Sequence, residues 1–184
     1  GSGFAGGWPN GYTNFYIDLG AFLRIGAENV LQVVANNSAE LNSRWYSGSG
    51  IYRNVTLYTG GLVAIPPEGL RVSTPEADAA CATLEVEPKI ENKANAPHRI
   101  VLEAEVFNAE GDRVAAEWTP LTVYGGTGET VRQRILFAAP RLWSPDTPNL
   151  YTCRVRLLED DATTDTTETT FGVRTLSLDA LRGL

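Results

Sequence analysis

The chain has 184 residues, enough for one large or two small domains, and 43% of them are apolar, so a genuine core can form. A formal net charge of −7 argues against nucleic acid and anionic membrane surfaces as partners, and no apolar run approaches the length of a membrane span. No basic-plus-apolar leader opens the sequence, so a periplasmic or extracellular location would need a signal peptide further upstream.

Residues 1–13 (GSGFAGGWPNGYT) read as glycine-rich loop with Trp8 and Tyr12 as anchors. Asn14–Leu19 reads as a short strand. Asp18 then caps a single helical turn in which Leu19, Phe22 and Leu23 fall on one side, and Gly26 ends it. Asn29–Ala35 alternates as a strand with Leu31, Val33 and Ala35 on one face. Residues 42–50 form a loop holding Asn42, Arg44, Trp45, Tyr46 and the run Gly48-Ser49-Gly50. Ile51–Tyr58 alternates again and predicts a half-buried strand at the foot of that loop. Because a strand follows the glycines rather than a helix, a phosphate-binding loop is excluded.

Residues 61–69 contain Pro66-Pro67, which predicts a stiff, extended connector between two domains. Beyond it the pattern is an antiparallel sandwich. Leu70–Ser73 is a first short strand. Thr83–Ile90 points Leu84 and Val86 inward. Ile100–Val106 points Ile100, Leu102, Ala104 and Val106 inward and Val101, Glu103 and Glu105 outward. Residues 108–112 make a glycine-containing hairpin turn, and Arg113–Glu117 returns from it. Thr130–Phe137 places Val131, Ile135 and Phe137 on one face. Tyr151–Leu157 and Thr169–Leu176 complete about seven strands, as in immunoglobulin-like sandwiches. Trp143-Ser144-Pro145 is expected to close one end of the core. Tyr151 takes the tyrosine-corner position, its phenol tied to an upstream backbone group. The polar run Glu159–Thr170 reads as a solvated hairpin tip, since its acids lack the spacing of a calcium loop.

The two cysteines, Cys81 and Cys153, have opposite strand parity, so one thiol faces out, one faces in, and no disulfide is predicted. With His98 the sole histidine, no histidine metal site and no Ser-His-Asp triad is assembled, and no cofactor is implied. Asn36-Asn37-Ser38 and Asn54-Val55-Thr56 fit the glycosylation pattern, which matters only in a eukaryotic secretory pathway.

The loop Asn42–Gly50 carries the functional question. A planar cation beside two aromatics suits a sugar, which offers apolar C–H faces and hydroxyl rims. On residue types alone the commoner outcome is structural, with the aromatics buried and Arg44 paired to a carboxylate.

The run Ser43-Arg44-Trp45-Tyr46-Ser47-Gly48-Ser49-Gly50-Ile51-Tyr52-Arg53-Asn54-Val55 closely resembles the end of the sugar-binding jelly roll of glycoside hydrolase family 2. Gly11-Tyr12-Thr13-Asn14-Phe15, Asp18-Leu19 and Glu28-Asn29-Val30-Leu31 resemble strands just upstream in that jelly roll. Residues 142–151 (LWSPDTPNLY) resemble the family's immunoglobulin-like domain. Phe171-Gly172-Val173-Arg174-Thr175-Leu176 resembles the junction to its catalytic barrel. The resemblance implies an all-β fragment. Residues 1–60 would be the incomplete end of the jelly roll, 70–178 an immunoglobulin-like antiparallel β-sandwich, and 179–184 the start of the junction. It implies a bacterial, β-galactosidase-like parent whose pocket rim would include Asn42, Arg44, Trp45 and Tyr46. The family's acid/base glutamate sits in an Asn-Glu pair, which this sequence lacks, so no catalytic residue can be assigned and the chain alone is expected to be inactive. Carbohydrate would be a partner only in the intact parent. A jelly roll lacking its front half exposes strand edges and predicts self-association through residues 4–58. A stand-alone carbohydrate-binding module and a structural or adhesive sandwich are the alternatives.

Overall fold

The computed structural model describes residues 4–7, 12–36, 38 and 50–176. The chain divides into two compact units, Gly1–Leu57 and Tyr58–Leu184.

The first unit carries no strand among its described residues. The helical turn is present. The Phe22 and Leu23 amides donate to the Leu19 carbonyl at 2.9 and 3.2 Å, and Asp18 Oδ1 accepts from Gly20 N–H at 2.9 Å. Gly26, with φ 77°, ends it. Asn29 then closes the following loop, accepting from Arg24 N–H at 2.9 Å and donating to the Arg24 and Ala27 carbonyls at 3.0 and 2.9 Å. The strands expected at Asn14–Leu19, Asn29–Ala35 and Ile51–Tyr58 are absent from the described residues. Alternation says which side of a segment would be buried, but a strand exists only within a ladder, and these segments enter none. Their apolar side chains lie exposed, Val30 at 86% and Val55 at 71%.

The second unit is a sandwich of two antiparallel sheets. Its strands are β1 (Val63–Ala64), β2 (Leu70–Ala77), β3 (Cys81–Asn92), β4 (His98–Phe107), β5 (Arg113–Val123), β6 (Gly128–Thr130), β7 (Gln133–Ala138), β8 (Tyr151–Glu159) and β9 (Ala162–Phe171). In one sheet β3 is central, with β2 and β7 flanking its first half and β1 and β6 its second. The other sheet runs β5-β4-β8-β9.

The inward positions follow the sequence period. Leu84, Val86, Ile100, Leu102, Ala104, Val106, Ile135, Phe137, Tyr151, Cys153, Val155 and Leu157 form one buried core. Gln133 is buried among them and ties the sheets together, its Nε2 donating to the Leu102 carbonyl at 3.2 Å and to Thr119 Oγ1 at 2.9 Å. Tyr151 makes the expected corner: its hydroxyl accepts from Arg141 N–H at 2.8 Å, and its ring lies between Phe137 and Phe171. Trp143 closes that end. Its amide donates to the Val173 carbonyl at 2.8 Å, and its ring sits so close to Gly172 that a Cβ there would meet ring carbons at 2.6 Å. Cys81 is exposed and Cys153 buried, as their parity requires; burial pushes the Cys153 thiol up to about 12.

Several expectations are corrected. The 61–69 stretch is no extended connector. It contains β1, and Pro66-Pro67-Glu68-Gly69 is a tight turn with Gly69 N–H donating to the Pro66 carbonyl at 2.8 Å and Glu68 at φ 58°. The strand expected at Thr130–Phe137 is split into β6 and β7, because Pro88 of β3 has no N–H to offer the ladder there. The run Glu159–Thr170 is not a loop. Only Asp160-Asp161, both at positive φ, form the turn, and the threonines that follow make edge strand β9, where β-branching outweighs polarity. The strand expected at Thr169–Leu176 accordingly ends at Phe171. Glu103 and Glu105 have outward parity yet are 6% and 5% exposed, for the reason given below.

Leu102→Ala is expected to cost about 2–5 kcal/mol in chemical denaturation, since a fully buried side chain is removed. Tyr151→Phe, which orphans the Arg141 amide, is expected to cost about 1–3 kcal/mol. The Asp78 carboxyl is held below its ordinary value by the Cys81 and then the Ala80 amide. A carboxyl depressed in the folded state contributes stability that is complete above its unfolded value, about pH 4, and is lost as pH falls through the lowered one. Asp78→Asn should therefore flatten the acid limb of a melting-temperature profile.

Candidate functional site

Asn42, Arg44, Trp45 and Tyr46 lie outside the described residues; the structure does describe both feet of their loop. On the entry side, Asn36 Oδ1 accepts from Ser38 N–H at 3.0 Å and Ser38 Oγ at 2.7 Å, a side-chain turn that redirects the backbone. On the exit side, Gly50 takes φ 115°, a conformation that disfavours any Cβ. Arg53 next to it donates from Nη1 to Asn14 Oδ1 at 3.2 Å, and its guanidinium lies 5.4 Å from the Tyr52 ring. The motif at Gly11–Phe15 and the motif at Ile51–Val55, separated by about forty positions, are thus joined at the base of the loop.

A second cluster, not anticipated from the sequence, covers the outer face of the β5-β4-β8-β9 sheet. Arg156 Nη2 lies 2.6 Å from Glu103 Oε2 and 3.2 Å from Glu105 Oε2. Arg113 Nη1 lies 2.9 Å from Glu105 Oε1, and Trp118 Nε1–H donates to Glu103 Oε1 at 2.8 Å. These side chains roof the two glutamates, which explains their burial on a nominally outward face. Glycoside hydrolysis needs one carboxyl able to give a proton and another open to the anomeric carbon or to water. Here both carboxylates lie beneath two arginines and an indole, and Glu103 Oε2, which accepts no hydrogen bond, is buried against Arg156 Nη2, so this pair braces the sheet and presents no carboxyl open to a substrate.

The opposite outer face has its own ion pairs, Glu87 with Arg71 and Arg132 at 2.9 and 3.0 Å and Glu85 with Arg134 at 2.7 Å. His98 Nδ1 contacts Glu159 Oε1 at 2.8 Å, joining the start of β4 to the end of β8. Among the described residues no group of three or more His, Cys, Asp or Glu gathers to hold a metal. An open hollow of about 260 Å³ is lined by Ser73, Thr74, Phe171 and Arg174 among others and presents no acid or base pair. It falls below the usual size of a small-molecule site, roughly 300–1,000 Å³.

Comparison with known proteins places this geometry. The family model "Glycosyl hydrolases family 2" matches residues 68–174, the sandwich from its first full strand to the segment after its last. The chain belongs to glycosyl hydrolases family 2, and its second unit is a β-sandwich domain of such a glycosidase. The β-galactosidase BoGH2A of Bacteroides ovatus is 34% identical over 95% of this chain, and a putative β-glucuronidase of Formosa agariphila is 27% identical over 92%. The crystal structure of a family 2 member from Bacteroides cellulosilyticus matches with a TM-score of 0.84 at 30% identity, covering 91% of this chain and 23% of that one. The chain spans 21% of the B. ovatus protein and 16% of the F. agariphila protein.

Glu105→Ala, which removes the partner of Arg113 and one of the two carboxylates beside Arg156, is expected to lower stability by roughly 1–3 kcal/mol. Arg71→Ala, at an exposed pair, should change it by less than about 1 kcal/mol. Parallel denaturant melts of the two variants check that order.

Proposed function

We propose that this chain is a non-catalytic, pocket-shaping part of a family 2 β-glycosidase that hydrolyses O-glycosidic bonds, with a β-galactosidase-like specificity in the intact protein. The observation that carries the reading is the state of the carboxylates. In a chain that belongs to a glycosidase family, the buried glutamates described, Glu103 and Glu105, lie covered by Arg113, Arg156 and Trp118, and Glu85 and Glu87 on the other face are paired with arginines. The reacting acids then belong to other parts of the enzyme, consistent with a chain that matches about a fifth of its relatives' length. In this reading Asn42, Arg44, Trp45 and Tyr46 form the rim of the sugar pocket. The Asn14–Arg53 contact and the turns at Asn36 and Gly50 fix the base of their loop. The exposed apolar side chains of the first unit, Val30, Val34, Ile51 and Val55 among them, supply a surface for self-association of the isolated chain.

In the full-length enzyme, Arg44→Ala is expected to lower kcat/KM by about tenfold or more, the value of a charge-assisted hydrogen bond to a sugar hydroxyl, with the melting temperature unchanged. Steady-state kinetics beside thermal melts test this. Unaltered kinetics would remove Arg44 from the rim. Hydrolysis of a β-galactoside by the purified 184-residue chain would overturn the non-catalytic reading altogether.

A further inference from the structure

The stretch leading into the sandwich is fastened at successive points. The Leu62 carbonyl accepts from Lys93 N–H at 2.8 Å. Val63 and Ala64 then pair with Asn92 and Glu91, and Val63 is buried. One residue later the Ile65 amide, which β1 leaves behind, donates to Asp165 Oδ2 at 2.7 Å, across a sequence separation of 100. Asp165 stands in the middle of β9, opposite the buried Leu157, where the strand's inward positions are otherwise Thr167, Thr169 and Phe171. Its other oxygen accepts from Thr166 N–H at 2.9 Å. Just before it the ladder is irregular: Leu157 pairs with Asp165 but Leu158 with Thr163, so Thr164 is an extra residue, and its Oγ1 donates to the Leu157 carbonyl at 3.1 Å. Bulges of this kind re-aim the neighbouring side chain. Here the bulge accompanies an acid on the inward side of an edge strand, with one carboxylate oxygen on a backbone amide from the start of the other sheet.

We infer that Asp165 is a latch: its carboxylate, aimed by the bulge at Thr164, locks the incoming chain onto the sandwich at Ile65, so that freedom in the connection stops at Gly60-Gly61. A carboxylate accepting a partly buried backbone amide makes a charge-assisted clamp, and a threonine at this position, as elsewhere along β9, would bring no charge to it. In the intact enzyme the latch makes Asp165 a positioning residue for the unit that carries Arg44 and Trp45; this consequence rests on the pocket-rim reading proposed above.

The test has two arms. In the 184-residue chain, amide exchange at Ile65 is followed for the natural protein, Asp165→Ala and Asp165→Asn, with Thr169→Ala as a control elsewhere on β9. The latch predicts exchange at Ile65 at least about tenfold faster in Asp165→Ala, an intermediate rate in Asp165→Asn, which keeps a neutral acceptor, and no change in the control. Unchanged exchange at Ile65 in Asp165→Ala overturns the latch. In the full-length enzyme, Asp165→Ala is expected to raise KM several-fold with kcat retained, and Thr169→Ala to leave both alone. If Ile65 loosens and Arg44→Ala impairs the enzyme while Asp165→Ala does not, the positioning role is wrong and the rim reading survives. If Arg44→Ala has no effect, the rim reading fails independently of the latch.

Discussion

Every strand of one sheet hydrogen-bonds to β3 and to no other strand. That single dependence orders the rest of the sandwich. β3 must be long enough to host two neighbours along each edge, and Cys81–Asn92 is the longest strand described. It must also terminate cleanly, and Asn92 does this. Its buried amide donates to the Ala96 and Val123 carbonyls, and its oxygen accepts from Ala94 N–H, so the turn into β4 and the end of β5 are held by one side chain. The partners change over at Pro88, which divides β7 from β6 on one side while leaving its own carbonyl to accept from Val131 N–H.

Both outer faces of the sandwich are laced with charges, but the two differ in kind. On the β3 side the arginines are largely exposed and the pairs are of the weakly stabilising surface type. On the β4 side one guanidinium bridges two carboxylates that have almost no contact with solvent. Removing a member of such a set leaves a buried charge uncompensated, so the set behaves as a unit. On this face the buried carboxylates are committed to holding the domain's own sheet together.

The sandwich was legible wherever a strand is apolar on one side. The parity of Leu84, Val86, Ile100–Val106 and Tyr151–Leu157 gave the core, and the same parity separated Cys81 from Cys153. Parity cannot report which strands become neighbours. Glu103 and Glu105 looked solvated because nothing local says that β4 will lie beside β8, which brings Arg154 and Arg156 opposite them. β9 was missed because an edge strand of threonines has no hydrophobic period to detect, and Pro66-Pro67 because a following Glu68-Gly69 converts an extended pair into a turn. In the first unit the alternation was real but had no ladder to join among the described residues. The family motif at Ser43–Val55 was the clearest functional signal in the sequence, and it points to residues beyond those described.

The two thiols differ in a way that bears on how the molecule can be handled. Cys153 is sealed in the core and held at a pKa of about 12, whereas Cys81 stands in solvent at the first residue of β3. Alkylating reagents act on accessible thiolates. The natural sequence therefore provides a selective attachment point for a fluorophore or spin label on the central strand of the first sheet, with no cysteine to engineer out.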